Sequence, residues 1–313
     1  MKNILVIYYS QTGQLTSAVK SLIEPLTGGD NIKVHLAEAR PWEPYPFPWS
    51  VIKFFDVFPE SYHMKPPPME PFGFDPEINY DLVIIAYQVW FLAPSLPITG
   101  FLRSKEASVL KDKPVITLIV CRNMWLSAQK KVKKALQQLG GHLIDNVTLV
   151  DKGPPLTTFI TTPLWMLTGK KKLNRLLPEA GVSTEEIRGA SRFGRAIKTA
   201  LESNKPLNSS ILYGLGAVRV NPNYIASEKI GSRSFYIWGK LLLALGQPGD
   251  LTRRVVLCVY IVFLILMILT VVPIGVIIRS LLKLFQKEKL SQLVIELEKP
   301  SGSGTERLVE FDQ

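Results

Sequence analysis

The chain has 313 residues, a formal net charge of +11 and an isoelectric point near 9.5. Its length allows one α/β domain of about 150–200 residues and leaves a remainder to be explained. The positive charge indicates nucleic acid or an anionic membrane surface as a partner. Nucleic acid is disfavoured because no long Lys/Arg block interleaves with aromatic residues. The two cysteines lack Cys or His neighbours at metal-ligand spacing, so neither a metal site nor a disulfide is expected.

Apolar runs alternate with helical patterns from the N-terminus onward. Buried strands are predicted at residues 4–9, 32–37, 80–87, 114–121 and 146–150, and helices at 16–26, 127–139 and 183–203. Strands that alternate with helices form parallel sheets with right-handed crossovers. The sequence therefore predicts an α/β fold built on a five-stranded parallel sheet.

A polar turn joins the first strand to the first helix; its sequence is Ser10-Gln11-Thr12-Gly13-Gln14-Leu15. Hydroxyl groups, backbone N–H groups and the helix dipole converge at such a turn, and Gly13 lets an anion approach the backbone. The turn has neither the spacing of dinucleotide-binding loops nor the Lys of P-loops, which favours a monophosphate. The alternative is an ordinary strand-to-helix turn in which Thr caps the helix.

Residues 9–14, Tyr-Ser-Gln-Thr-Gly-Gln, resemble the phosphate loop of flavodoxin-like FMN proteins, whose pattern is Ser/Thr-x-Thr-Gly-x-Thr. Leu15 stands where that pattern usually has Thr. The resemblance implies a flavodoxin-like sheet with strand order 2-1-3-4-5 and FMN as the cofactor. It also implies cofactor contacts from the residues of the turn, which are Ser10, Thr12, Gly13, Gln14 and Leu15.

Two further strand-end loops support a flavin. The first, Tyr87-Gln88-Val89-Trp90-Phe91 with Thr99-Gly100-Phe101-Leu102 after it, resembles the isoalloxazine loop of flavodoxin-fold oxidoreductases, with Gln88 in place of Pro. Such a loop places an aromatic wall and backbone N–H groups beside the ring. After the fourth strand, Arg122 and Asn123 are candidates to stabilise negative charge on the reduced ring. Core packing is the alternative for Trp90 and Trp125.

Two insertions, residues 40–78 and 153–181, are too long and too apolar for the solvated loops of a minimal flavodoxin. Both follow strands and therefore emerge at the carboxyl edge of the sheet, where ligands bind. We expect them to form a hydrophobic roof that admits an apolar small-molecule substrate. A dimer interface or mutual packing is the alternative. His63 and Tyr87 are candidate proton acceptors, although an exposed loop histidine is the simpler interpretation of His63.

The chain divides into four predicted parts: a flavodoxin-like FMN-binding domain (1–203), a connector with a membrane-proximal apolar segment (204–254), a membrane segment (255–278) and a basic, then disordered tail (279–313). The membrane segment has no charged side chain and is long enough to span a bilayer. Basic residues flank both of its ends, so a single span and a monotopic arrangement both stay open. Because no signal peptide precedes the first strand, we expect the N-terminal domain to stay in the cytoplasm, with the protein at the cytoplasmic face of a membrane.

A narrower resemblance combines residues 8–15, the Trp/Pro-rich stretch 41–49, the segment Cys121-Arg122-Asn123-Met124-Trp125 and the apolar C-terminal segment. Together they resemble the flavodoxin-like protein of bacterial dialkylresorcinol and flexirubin-type pigment clusters. This resemblance implies oxidation of a dialkyl cyclohexanedione, made by a ketosynthase partner, to an aromatic resorcinol. Two alternatives are an NAD(P)H-dependent quinone reductase and a non-catalytic scaffold at the membrane.

Overall fold

The computed structural model describes residues 1–174, 177–203, 206–282 and 287–311. Its strands are β1 (Lys2–Tyr8), β2 (Ile32–Glu38), β3 (Leu82–Trp90), β4 (Ala93–Pro94), β5 (Pro114–Cys121) and β6 (His142–Val150). Its helices are α1 (Gln14–Ile23), α2 (Val51–Asp56), α3 (Phe58–Tyr62), α4 (Leu96–Leu102), α5 (Leu126–Leu139), α6 (Pro155–Thr168), α7 (Thr184–Arg188), α8 (Ser191–Glu202), α9 (Pro222–Leu245), α10 (Leu251–Leu282), α11 (Lys287–Glu298) and α12 (Leu308–Phe311).

Five of the strands form a parallel sheet in the order β2-β1-β3-β5-β6. Numbered along the chain without β4, this is the order 2-1-3-4-5, so the flavodoxin-like fold predicted from the sequence is confirmed. The short strand β4 was not predicted. It pairs antiparallel with the end of β3, through Val89 with Pro94 and Trp90 with Ala93.

The core lies on both faces of the central strands. All side chains at 4–7 of β1 and 82–87 of β3 are fully buried, which explains why these strands are continuously apolar rather than alternating. The crossover from β1 to β2 runs in one direction across the sheet, and the crossovers from β3 to β5 and from β5 to β6 run in the other. Because all of them are right-handed, α1 lies on one face of the sheet and α4 and α5 lie on the other. Helix α8 packs beside α1. The helix predicted at 183–203 is divided into two helices, α7 and α8. The first is capped by Ser183, whose hydroxyl accepts a hydrogen bond from the Glu186 N–H.

The C-terminal third is more regular than the sequence suggests. The predicted connector contains the 24-residue helix α9, which begins at Asn221-Pro222. Helix α10 has 32 residues and includes the predicted membrane segment. The side chains of α10 are described for residues 251–270. This 20-residue stretch has a mean hydropathy of 2.3, and 17% of it is buried. By length and composition this stretch could cross a membrane.

The prediction of a disordered tail is wrong for residues 287–311. Val294 and Leu297 of α11 pack against the main core, and Phe311 of α12 is buried. Between them, the chain runs beside residues 216–218, which lie next to β6 through a bond from the Thr148 N–H to the Ala217 carbonyl. The N–H of Gly216 donates to the carbonyl of Gly304, and the N–H of Val218 donates to that of Gly302. Ser and Gly residues that resemble a disordered tail in composition instead bring the backbone close to this edge.

A buried carboxylate holds the tail in place. Asp145 of β6 accepts hydrogen bonds from the hydroxyls of Ser210 and Ser301 and from the backbone N–H groups of Ile211 and Leu212. The Ser301 hydroxyl also accepts a bond from the Asn146 N–H at 2.7 Å. Burial raises the pKa of Asp145, and these hydrogen bonds to the carboxylate oppose that rise.

We predict that Ser301→Ala lowers the free energy of unfolding by about 2–3 kcal/mol, because it leaves a buried carboxylate oxygen and a buried N–H each short of a partner. Chemical denaturation followed by circular dichroism measures this. Ser291→Ala on the exposed surface of α11 is the matched control and should change stability little. Equal effects of the two substitutions would contradict the assigned role of Ser301.

Candidate functional site

A cavity of about 200 Å³ lies at the carboxyl edge of the sheet. Three strand-end loops contribute to its lining, those after β1, β3 and β5, and so do both insertions. In a parallel sheet of this order the carboxyl edge is where ligands bind. The cavity therefore lies where the sequence places a ligand site.

The loop after β1 is the polar turn. Gly13 has φ +79°, the left-handed conformation that glycine adopts without steric cost, and the first turn of α1 follows it. The Ser10 hydroxyl accepts from the Thr16 N–H, which leaves the N–H groups of Gln14 and Leu15 without a partner inside the helix. Thr12 lines the cavity. The Leu15 side chain is fully buried in the core, so only its backbone can reach a ligand.

Two glutamine side chains attach this turn to the insertions. The side-chain amide of Gln14 forms two hydrogen bonds with the backbone of Val182. Its Nε2 donates to the Val182 carbonyl at 3.0 Å, and its Oε1 accepts from the Val182 N–H at 3.1 Å. Gln11 Nε2 donates to the carbonyl of Pro46 at 3.0 Å. The amide of Gln14 is thus engaged in structure, while Gln11 keeps its Oε1 free of any partner among the described residues.

The loop after β3 is a tight hairpin. Phe91 and Leu92 connect β3 to β4 with φ values of 48° and 59°, as a two-residue turn of this type requires. Neither residue is Gly or Asn, so each carries a backbone cost of order 1–2 kcal/mol. The hairpin places Gln88, Val89, Trp90 and Phe91 on the cavity wall.

Tyr87, by contrast, does not line the cavity. Its side chain is fully buried, and its hydroxyl donates to Gln129 Oε1 at 2.6 Å. Burial raises the pKa of Tyr87 well above its usual value. His63 is also outside the cavity, because its ring packs on α9 and its Nε2 lies 3.2 Å from the Tyr236 carbonyl. The structure brings neither candidate proton acceptor to the site.

The loop after β5 brings one cation to the cavity. The guanidinium of Arg122 lies over the Phe159 ring at 4.9 Å, and burial lowers the pKa of Arg122. No carboxylate among the described residues lies within ion-pair distance of it. Asn123 is half-buried next to it but does not line the cavity. Arg122 is therefore available to an anionic ligand.

The two insertions close the cavity from above. The first contributes Trp49, Phe54 and Val57, and the second contributes Thr162, Trp165 and Met166. They are joined to each other by a hydrogen bond from the Trp49 N–H to the Met166 carbonyl at 2.8 Å. The apolar insertions at the carboxyl edge, expected from the sequence, thus form one connected roof.

A single carboxylate joins the two ends of the second insertion. Asp151 Oδ1 accepts from the Gly153 N–H at 2.8 Å, and Oδ2 accepts from the Gly181 N–H at 3.0 Å. Gly181 has φ +88°, and a Cβ there would lie 2.8 Å from the Gln14 amide and 2.9 Å from Trp165. Only glycine fits at this position, where the roof meets the polar turn.

Four buried polar atoms of the lining have no hydrogen-bond partner among the described residues. They are Gln11 Oε1, Trp49 Nε1, Gln88 Oε1 and Thr162 Oγ1. Buried polar groups in folded proteins are nearly always paired, and each unpaired one costs about 1–3 kcal/mol. These four atoms are therefore positioned to form hydrogen bonds with a ligand in the cavity.

Several lining residues were not singled out from the sequence. Phe54, Val57, Thr162, Met166 and Gly181 come from the insertions, where no local motif marks which side chains turn inward. The apolar composition of these segments was the only available signal.

No protein-family model and no curated protein matches the chain. Among solved structures, a flavoprotein from Lactobacillus acidophilus in complex with FMN has 18% identity over 47% of this chain and 93% of its own, with a TM-score of 0.39. A flavodoxin from an archaeon has 9% identity over 64% and 99%, with a TM-score of 0.35. An oxidoreductase from Corynebacterium diphtheriae has 13% identity over 64% and 98%, with a TM-score of 0.33. At such identities the likeness concerns the fold alone.

We predict that Asp151→Ala opens the second insertion, because two backbone N–H groups at its base lose a charged acceptor worth about 1.5–3 kcal/mol per bond. Limited proteolysis with mass spectrometry should show faster cleavage within residues 153–181. Asp30→Ala, on an exposed loop, is the control. An unchanged cleavage pattern in Asp151→Ala would show that the carboxylate does not hold the roof.

Proposed function

We propose that the protein is a membrane-associated, FMN-dependent oxidoreductase that acts on an apolar ring substrate. One observation carries the proposal: a single cavity is lined by three strand-end loops, by an apolar roof and by four buried polar atoms that lack partners. Its volume of about 200 Å³ is below the ~300–1,000 Å³ typical of ligand pockets. The roof therefore has to move outward when cofactor and substrate are both bound.

The polar turn fits the phosphate of FMN. The N–H groups of Gln14 and Leu15, which have no partner inside the helix, favour an anion at one point together with the Thr12 hydroxyl and the positive end of the α1 dipole. The left-handed conformation of Gly13 and the open space at its Cβ position leave the approach free. The FMN complex of the Lactobacillus acidophilus protein is consistent with this assignment.

The ring of the cofactor would lie against the hairpin after β3 and the loop after β5. Bound FMN would supply a hydride acceptor. The Trp90 ring is held at 5.0 Å from Tyr45 and 6.0 Å from Trp49, which fixes an aromatic wall beside that position. Arg122 would stabilise negative charge at the site, since none of the described carboxylates lies within 4.0 Å of its guanidinium.

The side chains of the roof suit an apolar substrate that carries oxygen atoms on its ring. Trp49 Nε1 can only donate a hydrogen bond, whereas the Thr162 hydroxyl can donate or accept one. Most of the surrounding groups are aromatic or aliphatic and would disfavour water beside a bound ring, which suits hydride transfer. A dialkyl cyclohexanedione oxidised to a dialkylresorcinol, the substrate implied by the pigment-cluster resemblance, has this combination of two oxygens and long alkyl chains.

Arg122 would also interact with the charge of such a substrate. Among the described residues, no carboxylate or imidazole lines the cavity. Burial raises the pKa of the Cys121 thiol, so that the thiol stays protonated. Arg122 is then the one side chain of the lining that is charged at neutral pH, and it would favour the anionic form of a cyclic dione or of its phenolic product. We further propose a ketosynthase as the supplier of the substrate and the cytoplasmic face of a bacterial inner membrane as the location.

Thr12→Glu should weaken FMN binding by about 10²–10³-fold, because a like charge ~4 Å from the phosphate costs about 4 kcal/mol at an effective dielectric constant of 20. Flavin absorbance of the purified protein, titrated with FMN, measures this. Thr199→Glu makes the same change on the exposed surface of α8 and should retain flavin. Undiminished flavin content in Thr12→Glu would overturn the phosphate assignment.

Trp49→Phe should lower turnover of a cyclic dione about three- to tenfold while FMN content stays constant, since it removes one hydrogen-bond donor worth about 0.5–1.5 kcal/mol and keeps an aromatic ring. Trp42→Phe in the same insertion is the matched control, because Trp42 is 67% exposed. Steady-state kinetics with each variant provide the test, and equal losses in both would count against a substrate contact at Trp49.

The spectrum of the purified full-length protein separates the proposed function from its alternatives. A yellow protein that is reduced by a cyclic dione and is indifferent to NAD(P)H supports the proposal. Rapid bleaching by NAD(P)H would identify a quinone reductase instead. A colourless protein that does not take up added FMN would identify a scaffold.

A further inference from the structure

Helices α9 and α10 form an apolar surface outside the cavity. The exposed apolar side chains of this surface, here called the α9–α10 face, are Ile230, Ile237 and Leu241 of α9 and Val255, Val259, Val262, Ile265, Leu266 and Leu269 of α10. Val259 and Val262 are 56% and 58% exposed. Only 17% of the apolar stretch at 251–270 is buried, so most of this part of α10 is not packed against the rest of the protein. An apolar surface of this extent marks an interaction site.

Apart from the buried Glu228, the charged side chains on α9 and α10 are all positive, while the exposed Asp250 lies in the loop between the two helices. Lys229, Arg233 and Lys240 are exposed on α9, and Arg254 is exposed on α10. The only carboxylate within α9 is Glu228, which is buried and accepts a hydrogen bond from the Ser127 N–H. Helix α10 contains no Asp or Glu. Cations beside exposed aliphatic side chains match anionic lipid headgroups above acyl chains.

The start of α10 is fixed to the flavodoxin-like domain by a buried ion cluster. The Arg253 guanidinium is fully buried and donates to Asp56 Oδ1 at 2.7 Å and to both carboxylate oxygens of Glu60 at 2.7 and 2.8 Å. The other oxygen of Asp56 accepts from the Gly249 N–H at 2.8 Å. Arg253 is therefore neutralised within the protein, although the sequence presents it as a basic flank of a membrane segment.

The chain after α10 returns to the same domain. Helix α11 begins at residue 287, and its Val294 and Leu297 pack against the core around the sheet. The Glu298 carboxylate accepts from the Val220 N–H at 2.9 Å, and Ser301 binds Asp145. A 32-residue helix is about 48 Å long. If it crossed a bilayer, the segment after it would lie on the far side, away from the core that it packs against.

We propose that the α9–α10 face inserts into one leaflet of a membrane that contains anionic lipids, and that α10 does not cross the membrane. The face shares its inner side with the roof of the cavity. Phe58, Leu242, Leu257 and Tyr260 form a buried cluster there, and Phe91 of the cavity wall contacts Phe58 at 5.8 Å between ring centroids. After membrane insertion, only this layer of aromatic side chains would separate the apolar cavity from the lipid. The assignment does not depend on FMN.

Sidedness is the first test, with the full-length chain in a Cys121→Ser, Cys258→Ser background. Asp30→Cys reports the position of the sheet domain, and Val309→Cys, at an 88% exposed residue, reports that of the tail. In spheroplasts and in inverted membrane vesicles, a membrane-impermeant maleimide should label both cysteines from the same side. Labelling from opposite sides would show that α10 crosses the membrane and would overturn the proposal.

Vesicle binding is the second test. The purified protein should co-sediment with phosphatidylcholine vesicles that contain phosphatidylglycerol, and Val259→Asp with Val262→Asp should abolish this. Ile295→Asp changes a 59% exposed aliphatic residue of α11 outside the face and is the matched control. Replacing Lys229, Arg233 or Lys240 by Gln should weaken binding about fivefold for each cation removed.

Circular dichroism verifies that each variant is folded, independently of whether flavin is bound. Failure to bind any vesicle, or binding that persists in the Val259→Asp, Val262→Asp protein, would overturn the proposal. So would a detergent-free dimer in which a second copy covers the face. A colourless protein that still binds vesicles would contradict the FMN assignment and leave the membrane assignment standing.

Discussion

The site depends on one constraint of topology: in a parallel sheet every strand-end loop emerges at the same edge. The polar turn, the hairpin after β3 and the loop with Arg122 are far apart in sequence and meet only for this reason. Both insertions follow strands of the same sheet and join them there. Hydrogen bonds then connect these parts: the Gln14 side-chain amide bonds to the backbone of Val182, and the Trp49 N–H donates to the Met166 carbonyl. The roof and the polar turn are therefore held to each other by hydrogen bonds.

This edge also carries the energetic costs of the fold. Phe91 and Leu92 adopt left-handed conformations that suit glycine or asparagine, and four buried polar atoms around the cavity have no partner among the described residues. Each such feature costs of order 1–3 kcal/mol, against a net stability of about 5–15 kcal/mol for a typical domain. Costs of this size persist at functional sites, where a ligand can satisfy the groups that the protein leaves unpaired.

The buried ion cluster at Arg253 links the cavity to the surface on its other side. Asp56 and Glu60 belong to the helices of the first insertion, which also provides Phe54 and Val57 to the cavity. Removing one partner would leave a charge buried without compensation, which is far more costly than the net gain from forming the cluster. The roof of the cavity and the apolar helix α10 are consequently held as one unit.

The sequence by itself determined the strands of the sheet and the position of the polar turn, because continuous apolar runs, a glycine at the turn and helix-start signals act over a few residues. The strand order followed from the resemblance to flavodoxin-like proteins. The boundaries of β5 were predicted to the residue, and α5 to within one. Contacts between distant segments decided the rest. They turned Thr162 and Met166 toward the cavity, turned Tyr87 into the core, ordered a Ser/Gly-rich tail on the sheet edge through Asp145, and paired Arg253 with two carboxylates almost 200 residues away. Such choices depend on which partner a side chain meets after folding, and no local pattern records that partner.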